Sequence, residues 1–124
     1  MPKLTVFNAA QPEVSYDRPR PDRLVHGNPL RSTREFFSAP QGDLSCGIWT
    51  CEPGAWNIAF PAGKDEFFCV ISGRLRISDE QGTATEFGPG EACVIPQGFV
   101  GTFEVLETVS KYYVVLERSG QIAL

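Results

Sequence analysis

The sequence holds one histidine, His26, in 124 residues. A site built from several imidazoles is therefore excluded, and one imidazole cannot by itself hold zinc, iron or manganese, which need several N, O or S donors. The four cysteines, Cys46, Cys51, Cys69 and Cys93, form no C-x-x-C pair and have no histidine beside them, so their spacing is not that of a zinc site. No apolar run approaches the roughly 18 residues of a membrane-spanning helix, and no membrane partner is expected. The opening MPKLTVFNAAQPEV lacks the apolar core of a secretory leader. A cytoplasmic location is the default expectation, in which the cysteines remain thiols. Basic residues are scarce relative to acidic ones, 11 against 15, for a net charge of −4. A phosphate backbone needs clustered Lys and Arg, so no nucleic-acid partner is expected.

What is present is the material of one all-β domain. Apolar residues make up 42% of the chain, which has nine Phe, 12 Gly and 10 Pro. Abundant Gly and Pro imply many turns between short strands. Residues 1–35 are polar and rich in proline, and PEVSYDRPRPDRLVHGNPLRSTRE rules out a long helix or a central strand. This stretch reads as an N-terminal arm along the body or along a second subunit, with KLTVF (Lys3 to Phe7) as an edge strand. Residues 36–124 read as the barrel. From Arg34 the strand candidates are REFFSA, SCGIWTCE, NIAF, EFFCVISG, RLRISDE, TEF, ACVIP, GTFEVLE and KYYVVLE. PQGD, PGAW, PAGKD, QGTA and GPGE stand between them as turns. FFCVI and YYVVL are apolar on both faces, whereas a sandwich buries one. A further layer, and so a homodimer, is the expectation.

Two elements in order, E-x6-G over Glu66 to Gly73 and G-x5-P-x-G over Gly90 to Gly98, with GPGE between them, resemble the cupin superfamily. Over Gly47 to about Val115 the chain is similar to a small family of ureidoglycine aminohydrolase-like and ethanolamine-utilisation-like cupins. The resemblance implies a small antiparallel jelly-roll barrel of the cupin (RmlC-like) type. It also implies a metal motif, G-x5-H-x-H-x3-E-x6-G followed by G-x5-P-x-G-x2-H. Aligned on Gly54, its first two histidine positions fall at Phe60 and Ala62, and its acid at Glu66. Aligned on Pro96 and Gly98, the third falls at Gly101. The acid is kept and every imidazole is missing, so neither a metal nor another cofactor is expected.

Glu66 becomes the first candidate site residue, as the metal-binding acid of the resembled motif points into the barrel. Lys64 and Lys111 are its candidate cationic partners. Alternation places Trp56, Ile58 and Phe60 on one face, in phase with Glu66, Phe68 and Val70. Phe103 and Val105 share a parity, as do Lys111 and Tyr113, and Trp49 and Cys51. Trp56, Phe60, Phe68, Phe103, Tyr113 and Cys51 are therefore candidate ligand-binding residues, an apolar lining with a few polar points. The same residues would equally fill a small barrel, with Phe60 as a plug. Arg74, Arg76, Glu104 and Glu107 read as solvent-facing charges, Cys69 as outward-facing, and His26 as a surface or packing residue. The functional expectation is a metal-free site for a small polar metabolite held by Glu66 and a lysine. The alternative is an amidohydrolase, lyase or isomerase acting on a small nitrogenous or carboxylate metabolite, with Glu66 as acid/base.

Overall fold

The computed structural model describes residues 1–118. These form one curled antiparallel sheet of nine strands, β1 (Val14–Asp17), β2 (Leu24–His26), β3 (Arg31–Ser38), β4 (Leu44–Cys51), β5 (Gly54–Ala59), β6 (Lys64–Asp79), β7 (Ala84–Phe87), β8 (Ala92–Ile95) and β9 (Val100–Glu117). A single 3-10 turn, Pro21–Arg23, precedes β2. Among the described residues no helix is long and apolar enough to cross a membrane.

The sheet runs β1-β3-β4-β9-β5-β2, and β6 pairs with β9 while carrying β7 and β8 on its other edge. The long β6 and β9 hold it together. EFFCVISG and RLRISDE, expected as two strands, form the continuous β6, and GTFEVLE and KYYVVLE likewise form β9. The breaks expected at Gly73 and at Thr108–Ser110 are bends in the ladder, with register shifts between Val70 and Leu75. Gly73 makes the bend possible. Its φ is 82°, and a Cβ there would lie 2.0 Å from the Thr108 carbonyl oxygen. PGAW, expected as a turn, contributes Gly54 to Trp56 to β5, because Trp56 pairs with both Phe103 and Leu24.

Phe68, Val70, Leu75, Val105 and Val109, each at most 2% exposed, form the centre of the core. Phe68 and Val70 keep the two-residue period of a strand with one face inward, as do Val105 and Val109, and the register shifts between Val70 and Leu75 bring Leu75 to the same face. The opposite face is also apolar. Across β8, β6, β9, β4 and β3 the register aligns Val94, Phe67, Val114, Cys46 and Phe37 in one row without a charge. The next row holds Ala92, Cys69, Tyr112 and Ile48 and ends on β3 at Arg34, so Cys69 faces outward as expected.

KLTVF is not a strand. Phe7 instead stacks on Phe36, with ring centroids 4.2 Å apart, and its chain turns back through Ala9 and Ala10 N–H bonds to the Val6 carbonyl. The strands of the Pro-rich stretch are β1, which pairs with β3, and β2, which pairs with β5. Pro19 is buried and Pro21 opens the 3-10 turn, so the prolines sit at the corners between these strands.

Candidate functional site

Glu66 stands near the start of β6, and Lys111 on β9 pairs with Val70 on one side and Trp49 on the other. Both side chains enter the barrel. The Lys111 ammonium donates to Glu66 Oε2 at 2.7 Å. Its Nζ also lies 4.4 Å from the ring centre of Phe68, 4.7 Å from Trp49 and 5.0 Å from Phe103. Lys111 is only 4% exposed. A buried ammonium loses its hydration, and here one carboxylate and three ring faces replace it. Glu66 Oε1 accepts no hydrogen bond from the described residues, although the carboxylate lines the cavity above it.

That cavity has a volume of about 330 Å³ and opens to solvent. Its apolar wall is built from Trp49, Trp56 and Phe103. Trp56 stacks on Phe103 at 5.1 Å, and Trp49 meets the same ring edge-on at 5.7 Å. Arg31 and Asp17, cross-strand partners on β3 and β1, stand at the rim. Arg31 Nε and Nη2 donate to the two Asp17 oxygens at 2.8 and 2.7 Å, and its guanidinium lies 5.2 Å from the Trp56 ring centre. Lys64 also lines the cavity and lies over Phe60 at 4.9 Å. The turn beneath Lys64 is tied down. Gly63 N–H donates to the Gln97 side chain, Gln97 N–H donates to Asp65, and Arg118 donates to Asp65. The Gln97 amide and the Arg118 guanidinium hold the Asp65 carboxyl below its ordinary range. Burial pushes the Tyr113 hydroxyl up to about 12, so it stays a neutral donor on the cavity wall.

Of the nine residues expected from sequence, Glu66, Lys64, Lys111, Trp56, Phe60, Phe103 and Tyr113 line one cavity. Phe68 does not. It is wholly buried, edge-on to Phe87, and acts from behind as one of the rings around Lys111. Cys51 does not either. It is 1% exposed within the core, and burial pushes its thiol up to about 12, which removes the thiolate that reactivity requires. Phe60 lines the opening and does not plug it. Of the lining residues outside those nine, Asp17 and Arg31 bring charge and Trp49 brings a ring. Arg31 and Thr33 alternate on β3 and both line the cavity, so strand parity extended three residues before Arg34 would have found Arg31. The solvent-facing charges are also more ordered than expected. Glu104 accepts from Arg76 and pairs with His26, while Glu86 accepts from Arg74 and Arg76.

The EutQ-like cupin domain model matches residues 38–113, more than half of the sequence. The chain belongs to the EutQ-like cupins. Solved structures agree on the fold. A DUF861-family protein of unknown function from Pseudomonas syringae superposes with a TM-score of 0.73 at 23% identity, over 83% of this chain and 44% of that one. The chain thus spans less than half of that protein's length. The EutQ protein of Clostridium difficile gives 0.64 at 27% identity, over 79% of this chain and 78% of that one. An ectoine synthase from P. lautus gives 0.61 at 14% identity, over 70% and 64%. No curated protein sequence matches the chain. The sheet described above is therefore the cupin jelly roll.

The metal of the wider cupin motif does not fit this member. Phe60 and Ala62 offer no lone pair. At Gly101 the third histidine has no room, because a Cβ there would lie 2.0 Å from the Ser78 carbonyl oxygen and 2.9 Å from the Phe99 ring. The remaining ligand, Glu66, is engaged by the Lys111 ammonium. Among the described residues no three His, Cys, Asp or Glu side chains come together as a metal site.

Proposed function

We propose that this cupin binds a small polar metabolite carrying a carboxylate in the barrel cavity, without a histidine-held metal. The observation that carries the reading is the Lys111–Glu66 pair in an open cavity whose other walls are aromatic. Rings and aliphatic side chains supply contact area, and a few placed charges supply orientation. Among the described residues Lys64 lines the cavity without an ion-pair partner, and it is the group to receive the carboxylate. A thermal-shift screen of small carboxylates and amino acids tests this. The expected result is a hit that raises the melting temperature of the native chain and loses its effect in Lys64→Gln and Glu66→Gln. A hit equally effective on both variants, or no hit in the screen, overturns the reading.

One observation favours an enzymatic version. Glu66 has one oxygen held by Lys111 and the other without a partner among the described residues, which suits a carboxylate that accepts or returns a proton. Lys64 or Lys111 would then stabilise developing negative charge in an amidohydrolase, lyase or isomerase reaction. Conversion of the hit, followed by NMR, distinguishes an enzyme from a binder. The same proposal includes a homodimer formed through the outer face of β8, β6, β9, β4 and β3, along the uncharged row from Val94 to Phe37.

A further inference from the structure

A second hollow, of about 200 Å³, adjoins the first and shares Arg31, Trp56, Phe60 and Lys64 with it. Its own contribution comes from the Pro-rich stretch and from β5: Arg20, Arg23 and Asn57. The 3-10 turn that carries Arg23 is fixed by Pro19 and Pro21 and by the Arg23 N–H bond to the Arg20 carbonyl at 2.9 Å.

The charges around the two hollows are lopsided. Five cationic side chains line them, Arg20, Arg23, Arg31, Lys64 and Lys111, against two acidic ones, Asp17 and Glu66. The molecule as a whole carries −4. Three of the cations have partners: Lys111 with Glu66, Arg31 with Asp17, and Arg20 with the exposed Asp22. Among the described residues Arg23 and Lys64 have none, and both line the second hollow. Like charges gathered in a concave site repel one another and concentrate anions. One carboxylate on Lys64 leaves Arg23 unanswered.

We propose that the second hollow is a subsite for a second anionic group of the same ligand, so that the barrel takes a dianion charged at both ends, a dicarboxylate or a phosphorylated carboxylate. The first group sits by Lys64 against the aromatic wall, and the second reaches past Phe60 to Arg23. This rests on the binding role proposed above and adds the ligand's second charge to it.

The chain has two tryptophans, Trp49 and Trp56, and both line the first cavity. Their fluorescence reports binding without a label. Succinate, glutarate and adipate are titrated against their half-amides succinamate, glutaramate and adipamate, which keep length and hydrogen bonding but lose one charge. At least one diacid should bind roughly tenfold more tightly than its half-amide, the scale of one charge-assisted pair. Arg23→Gln should abolish that difference, weakening the diacid more than the half-amide. Arg23 lies on a surface turn, and Arg20→Gln provides a second variant on the same turn, expected to narrow the difference. Equal affinity for diacids and half-amides overturns the subsite while leaving the binding role standing. So does a loss in Arg23→Gln that falls alike on both. If neither class binds, the subsite falls together with the binding role on which it rests.

Discussion

A lysine ammonium that is 4% exposed is held in place only if its surroundings replace water, and for Lys111 they are Glu66 and the rings of Trp49, Phe68 and Phe103. Removing one member of such a pair strands a charge in the barrel, which costs about 3 kcal/mol, toward the low end for buried pairs because Glu66 borders an open cavity. Urea denaturation should show that loss for Lys111→Met. The double variant Lys111→Met/Glu66→Gln should recover at least about 1 kcal/mol of it, the scale of coupling between residues in contact. Strictly additive losses would mean that the pair is not coupled. The candidate pairing of Glu66 with Lys111 was legible in the sequence, since resemblance placed the acid inside and strand parity put Lys111 in phase with Tyr113. Arg31 and Asp17 were not, because they lie in a stretch read as an arm by its prolines, and only the β1–β3 register sets them opposite each other.

The strands themselves were largely readable from alternation and from their Gly and Pro punctuation. Their continuity was not. Gly73 and the segment around Thr108 look like breaks, yet each is a bend within a strand that pairs on both sides of it. The reason is steric: the backbones of β6 and β9 approach so closely at Gly73 that any side chain would meet the Thr108 carbonyl. Gly101 at the head of β9 is crowded in the same way by Ser78 and Phe99. Restoring the motif histidine by Gly101→His is therefore expected to destabilise the barrel by more than about 1 kcal/mol, the usual scale of overpacking. Adding Phe60→His and Ala62→His should not produce a zinc-dependent rise in melting temperature. A clear rise with zinc in that triple variant would show that the strand can shift to admit the imidazole.

At the scale of the whole molecule, the inner face of the sheet encloses the site, and the outer face is covered only in part, where Phe7 packs against Phe36 and Tyr112. Phe67, Val94 and Tyr112 are 44%, 59% and 45% exposed there. Apolar patches of this breadth mark contact surfaces. Light scattering at tens of micromolar should give the mass of two chains, and Phe67→Lys with Val94→Lys should give one. A monomeric native chain would overturn the proposed dimer. The sequence by itself determined the all-β class, the turns other than PGAW, the loss of every motif histidine and the retention of Glu66, because these depend on residue type and on a two-residue period. Only the tertiary structure decided which of the candidate lysines, Lys64 or Lys111, faces that acid. Glu66 and Lys111 lie 45 positions apart, and their ion pair and its ring of aromatics arise from ladders between distant strands, whose register no local pattern specifies.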